Sequence, residues 1–144
     1  MNRREALFAT GALLASAGAA VAADDHSHHH HEGAHPWQSV LDTAGICIEK
    51  GEICLTHCIM LLGEGDKTMA ACATSVREML ASCRALITLA GAESKFAPRL
   101  AALCVDVCRA CEAECKKHAA KHKPCRECME SCDECAKACK AMIV

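Results

Sequence analysis

The sequence predicts an all-α chain, an antiparallel up-down four-helix bundle whose core is lined by cysteine. Three observations carry that prediction. Fourteen of 144 residues are Cys, against two Phe, one Trp and no Tyr, so the large side chains that normally fill such a domain are missing. The cysteines recur mostly at alternating intervals of three and four, the period of one helix face. The stretches that carry them run for about 20 to 27 residues and are joined by short links, which favours antiparallel neighbours. No strand pattern competes.

Residues 1–23 read as a targeting segment and are set apart from the fold. Arg3 and Arg4 form a twin arginine before the apolar run from Phe8 to Ala22, and Ala20-Val21-Ala22 fits a small-residue cleavage pattern. A paired arginine at that place favours the twin-arginine route over an ordinary secretory signal. The expected destination is the periplasm, reached by a chain already folded. The run is short and rich in Ala and Gly for a membrane span, so no membrane contact is expected of the mature chain. Residues 24–38 read as a disordered leader in which His26, His28 to His31 and His35 sit among Asp, Ser and Gly. Such tracts bind divalent metals by composition alone.

Residues 39–144 form the predicted bundle. The first helix spans 39–62 and stops at Gly63-Glu64-Gly65. Gly45 and Gly51 weaken it locally. Asp66 caps a second helix that runs through Ala90 and is closed by Gly91. The third opens at Ser94 or Lys95, takes Pro98 in its first turn and reaches about Lys121. The fourth starts around Pro124, a residue suited to a first helical turn, and ends near Met142.

On these helices the cysteines form stripes. Cys125, Cys128, Cys132, Cys135 and Cys139 are separated by 3, 4, 3 and 4 residues, and Cys104, Cys108, Cys111 and Cys115 by 4, 3 and 4. Cys47, Cys54 and Cys58 lie 7 and 4 apart in the first helix, and Cys72 and Cys83 lie 11 apart in the second. All fourteen can therefore point inward together. Between Pro124 and Lys140 there is no Leu, Ile, Val or Phe, so the cysteine face is the only one the fourth helix can bury. Cysteine alone makes a thin core, and something bound to the sulfurs would fill it.

Charge excludes little. Sixteen basic and eighteen acidic residues are mixed along the chain, which leaves no basic patch for nucleic acid. Four readings of the stripe compete. Free buried thiols as packing would explain one or two positions but not every seam position of a helix. A disulfide scaffold fits export and an even count. Within one helix, however, Cβ atoms at i and i+3 or i+4 are about 5–6 Å apart, where a disulfide wants about 3.5–4.5 Å. Zinc or iron–sulfur ligation usually draws on loops wrapped around one ion, whereas these pairs continue along a rigid face. Copper(I) is the soft ion that thiolates select. Pairs at i, i+4 could each reach one ion, namely Cys54/Cys58, Cys104/Cys108, Cys111/Cys115, Cys128/Cys132 and Cys135/Cys139. About as many monovalent ions as thiolates would neutralise the core. Multiple Cu(I) ions per chain is the reading preferred on these grounds.

The chain resembles the copper storage proteins, in particular their exported, twin-arginine-signalled members. The resemblance spans residues 39–142 and rests on Cys54-Leu55-Thr56-His57-Cys58, on Cys72 and Cys83, and on the ladders of the last two helices. It implies a four-helix bundle that binds Cu(I) by cysteine along its core, and a homotetramer. It also implies one open end, with His57, Met69 and Met60 as the residues that admit the ion. Cys104 is an addition to the pattern of the exported members.

The function expected is bulk sequestration of Cu(I), for supply to a copper-enzyme recipient, for detoxification, or both. A zinc or other thiolate-metal sequestration protein and a disulfide-stabilised helical bundle are the alternatives. Catalysis is not expected: an oxidase would need a mixed His/Cys centre and a thiol oxidoreductase one exposed pair of low pKa, while these thiols are repeated and nearly equivalent. A chaperone handing over a single ion would need only one exposed pair.

Overall fold

The computed structural model describes residues 35–143, so the expected targeting segment and most of the His-rich leader lie outside the described residues. Four helices follow in order: α1 Gln38–Gly63, α2 Ala70–Gly91, α3 Ala97–Lys116 and α4 Lys123–Met142, with one turn of 3-10 helix, Lys67–Met69, ahead of α2. The described residues contain no strand. Each helix packs its backbone on two others, α1 on α2 and α4, and α3 on α2 and α4, while diagonal helices meet through core side chains such as Cys83 and Cys135. Short links between sequential neighbours make this an antiparallel square, as predicted.

Every helix obeys one rule of burial. In α1 the buried positions are Val40, Ala44, Cys47, Gly51, Cys54 and Cys58, spaced four and three in alternation. Cys72, Val76, Met79, Cys83, Leu86 and Ala90 continue it in α2, and Ala97, Ala101, Cys104, Cys108, Cys111 and Cys115 in α3. This is the seam of a left-handed bundle. Chain direction then sorts the core. Val40, Ala44, Leu86, Ala90, Ala97 and Ala101 gather at the end where α1 begins, and Cys58, Met69, Cys72, Cys115 and Cys125 at the opposite end.

Two of the links are built alike. At the end of α1, Asp66 N–H donates to Leu61 O at 3.0 Å and Gly65 N–H to Leu62 O at 3.1 Å. Gly65 takes φ +97°, the left-handed conformation this closure needs. At the end of α2, Ser94 N–H donates to Leu89 O and Glu93 N–H to Ala90 O, both at 2.9 Å. There the left-handed residue is Glu93, at φ 48°, so Gly91 does not provide the closure the sequence assigns to it. Asp66 is a cap, but of the 3-10 turn: its carboxylate accepts from Thr68 N–H at 3.0 Å and from Thr68 Oγ1 at 2.6 Å.

The third helix is shorter than predicted. It starts at Ala97, after Ser94 Oγ has accepted from Phe96 N–H at 3.3 Å, and stops at Lys116 rather than near Lys121. Lys121 N–H and His122 N–H both donate to His118 O at 3.0 Å, tightening the chain into a turn. Reversal is required here because Pro124 must fall in the first turn of α4.

The fourth helix buries Cys125, Cys128, Ser131, Cys132, Cys135, Ala136 and Cys139 and nothing larger. Each such thiol contributes on the order of 1 kcal/mol by burial, against roughly 1.5–3 kcal/mol for Leu or Phe. Arg109 helps to hold α4 by donating to Asp133 at 2.6 Å while also pairing with Glu112. Exposed pairs of this kind are worth up to about 1 kcal/mol each. Gly51 is a buried seam position where α1 packs tightly on α2: a Cβ there would lie 2.5 Å from Met79 Cε and 2.9 Å from Leu80 Cδ2. No helix among the described residues is long and apolar enough to cross a membrane.

Candidate metal centre

All fourteen cysteines named from the sequence are fully buried and unpaired by disulfides. The seams of four helices converge on one axis, so their sulfurs form a column. Across helices, Sγ–Sγ separations are 3.6 Å for Cys72 and Cys115, 3.7 Å for Cys47 and Cys132, and 3.8 Å for Cys54 and Cys125. Cys83 lies 3.9 Å from Cys108 and 4.0 Å from Cys135, and Cys111 lies 4.0 Å from both Cys115 and Cys128. These are thiol contacts, far longer than a sulfur–sulfur bond.

Four groups are tight enough to hold an ion, their sulfurs all lying within 4.8 Å of one another. Cys47, Cys83, Cys108 and Cys135 contribute one thiol from each helix, and Cys54, Cys58, Cys72 and Cys125 form a second quartet. Two trios join them: Cys54, Cys115 and Cys128, and Cys111, Cys128 and Cys132. Cys54 and Cys128 each belong to two groups, and the 3.7 Å contact of Cys47 with Cys132 ties the first quartet to the second trio. Twelve of the fourteen are thus brought together. Cys104 and Cys139 are buried at the apolar end but join no group.

The within-helix pairs expected from spacing are therefore a minor part of the arrangement. Cys54/Cys58 and Cys128/Cys132 recur inside the groups, and Cys111 and Cys115 touch at 4.0 Å. Cys104/Cys108 and Cys135/Cys139 share no group. Neighbouring seams bring sulfurs from different helices as close as those one turn apart on the same helix.

Of the remaining candidates, Met69 is fully buried and His57 half-buried, both at the end where α1 stops and α2 starts. Met60 is not brought to the thiols; its side chain is 51% exposed, because it falls off the seam two positions after Cys58. Sequence reasoning missed three residues. His122 Nδ1 lies 3.0 Å from His57 Nε2, and the His118 ring stands 6.4 Å from that of His122. The first residue before α4, His122 makes no side-chain cap bond, its ring being turned toward His57 instead. The antiparallel order was the available signal, since the α3–α4 turn must lie beside the end of α1. Met79, the third, sits on the α2 seam with its Sδ 3.4 Å from Cys47 Sγ. His35, assigned to the leader, is half-buried beside Trp37 and Glu93.

Electrostatics divide the thiols. Cys139 is pushed up, first by its contact with Cys135 and then by burial, since an apolar interior disfavours the anion. Where a sulfur collects S–H donors the balance reverses. Cys115 is lowered to about 6, chiefly by Cys111, and Cys108 to about 6, chiefly by Cys132. Contacts between neighbouring thiols thus pull some sulfurs up and others down within one buried column. A sulfur-only donor set suits soft ions, and sulfurs shared between groups suit ions bridged in series more than isolated four-thiolate sites.

Comparison with known proteins agrees with this geometry. The family described as copper storage protein matches residues 33–144. An uncharacterized cysteine-rich protein of Bacillus subtilis (strain 168), YhjQ, is 31% identical over 96 residues, which cover 67% of this chain and 85% of the relative. Two solved structures share the fold. Apo copper storage protein 3 from Bacillus subtilis has a TM-score of 0.66 at 28% identity, covering 74% of this chain and 98% of its own. The Cu(I)-bound copper storage protein BsCsp3 has a TM-score of 0.66 at 26% identity, covering 74% and 97%.

Proposed function

Because the chain belongs to the copper storage protein family, we propose that its cysteine column takes up many Cu(I) ions and holds them as a store. The observation that carries this is the sharing of sulfurs. Cys54 and Cys128 each belong to two groups, so the sites form one continuous series rather than separate chelates. Copper(I) accepts two or three sulfurs and tolerates bridging thiolates; its charge also offsets each thiolate it meets. A solved relative of the same fold is Cu(I)-bound, which supports the choice of ion over zinc.

The role is storage and not catalysis. That reading rests on repeated, fully buried thiols and on the family, and it needs no reacting substrate. The twin arginine and the small-residue site at Ala20-Val21-Ala22 support export to the periplasm. The family resemblance supports a homotetramer, a copper-enzyme recipient would draw on the store, and the His-rich leader adds divalent-metal affinity. Loading releases thiol protons, so affinity weakens in acid.

Anaerobic titration of the reduced protein with Cu(I), against a competing chromophoric chelator, tests the function. Tight uptake approaching one ion per cysteine is the expected result. Saturation at a single ion would replace storage by a chaperone role, and preference for zinc would replace the cargo.

A further inference from the structure

At the end of the bundle where α1 and α3 stop and α2 and α4 begin, two kinds of donor stand together. His57 Nε2 and His122 Nδ1 are 3.0 Å apart, the span of two nitrogens bound cis at about 2.0 Å to one ion, a bond length usual for imidazole on a divalent metal. The His118 ring stands 6.4 Å from that of His122. Imidazole suits Cu(II), while thiolate suits Cu(I). The thiols start at once below: Cys58 follows His57 in α1, Cys125 is three residues beyond His122, and Cys115 three before His118. At the same end, Cys72 and Cys115 make the shortest cross-helix contact between two thiols, 3.6 Å.

We infer that the metal-free protein reduces Cu(II), with the His57–His122 pair receiving the ion and the Cys72–Cys115 dithiol supplying the electrons. This inference rests on the storage reading only for the fate of the product. The step balances with Cu(II) as the oxidant. Two thiols lose two protons and two electrons, one sulfur–sulfur bond forms between Cys72 and Cys115, and two Cu(II) become two Cu(I). The protons leave through the imidazole end to water. The sulfurs need to approach by about 1.6 Å to reach bonding distance, a rotation of side chains that sit within one turn of helix ends. Of the remaining twelve thiols, ten stand in the groups that would hold the Cu(I) produced. A chain built this way accepts copper in either oxidation state, at the cost of two ligands when the supply is oxidised.

The test uses the full, reduced protein under anaerobic conditions with Cu(II) supplied as a weak glycine complex. Expected are loss of the Cu(II) electron paramagnetic resonance signal and two Cu(I) per disulfide by chromophoric assay. Peptide mapping should place the first disulfide at Cys72–Cys115. The double substitution Cys72→Ser, Cys115→Ser slows the loss at least tenfold and lowers Cu(I) capacity. His57→Ala with His122→Ala also slows reduction at least tenfold, and added imidazole restores part of it. A Cu(II) signal that persists in the reduced wild-type protein overturns the inference, as does a first disulfide elsewhere. Direct Cu(I) titration separates the two readings: uptake of Cu(I) without reduction of Cu(II) keeps storage and discards reduction, and reduction without uptake does the opposite.

Discussion

Gly51 and Met79 meet where α1 packs on α2, so closely that a methyl group on Gly51 would lie 2.5 Å from Met79 Cε. Leu80 Cδ2, at 2.9 Å, blocks the other side, and Met79 Sδ is already held 3.4 Å from Cys47 Sγ. Gly51→Ala gains about 0.5–1 kcal/mol of helix propensity but loses roughly 1–3 kcal/mol to overpacking. The expected net result is destabilisation by about 1 kcal/mol. Gly45, six residues earlier on the same helix, has nothing within 4 Å of its added Cβ, so Gly45→Ala is expected to stabilise by about 0.5–1 kcal/mol. Denaturant melts of the metal-free proteins check both; equal signs would mean that the approach of α1 to α2 is looser than described.

Glu93 closes α2 in the left-handed conformation that Gly65 adopts at the end of α1. A non-glycine residue there carries a cost of about 1 kcal/mol. Its contact with His35, 3.8 Å long and largely exposed on the Glu93 side, returns little. Glu93→Gly should therefore raise stability by about 0.5–1 kcal/mol, and Gly65→Ala should lower it by about 1 kcal/mol. Thermal melts of the two variants, read against the unaltered chain, decide the matter, and a destabilised Glu93→Gly would contradict the assignment.

Helix count, order and inward cysteine stripes were legible in the sequence because α3 and α4 repeat at three and four residues without exception. The column itself was not. Spacing reports neighbours on one helix, and it therefore favoured pairs such as Cys104/Cys108 and Cys135/Cys139 over the quartet that takes one thiol from each helix. The end of α3 was overestimated because residues between Cys115 and Pro124 are good helix formers, and only the need to reverse before Pro124 cuts the helix at Lys116. His122 escaped notice for the same reason: assigned to a loop, it had no face to share with His57.

Thiol ionisation sets a stability window for the metal-free bundle. Cys54, Cys83, Cys132 and Cys139 are raised above the ordinary value near 9, all four chiefly by contacts with neighbouring thiols and then by burial. Above that pH an unfolded chain loses thiol protons that the folded chain keeps, so their contribution is present below about 9 and lost as pH rises. Cys108, Cys115 and Cys128 are lowered to about 6, and their contribution is present above about 9 and lost as pH falls through about 6. Metal-free protein should melt at lower temperature on both sides of this window. Copper-loaded protein should melt higher throughout and show no alkaline decline, its thiolates being held by ions. A metal-free melting temperature that goes on rising above pH 9 would refute the account.

Position in the column decides what a single thiol is worth. Cys54 joins two groups and Cys104 none. Serine offers a hard oxygen in place of a soft sulfur, so Cys54→Ser is expected to remove about two ions from the Cu(I) capacity and Cys104→Ser about one at most. Chelator competition on the two variants measures this, and equal losses would argue that every thiol binds independently.

Among the described residues, the apolar layer formed by Val40, Ala44, Leu86, Ala90, Ala97 and Ala101 closes one end of the thiol column and leaves the end beside His57 and His122 as its way in. A container with one opening behaves as a stack and not as a queue. Ions that arrive late lie nearest the exit and leave first, while those taken up first stay longest beside Cys47 and Cys135. Two copper isotopes loaded in succession would therefore come out in reverse order. A partly filled bundle would then keep an exchangeable fraction ready for withdrawal above a fraction that hardly turns over.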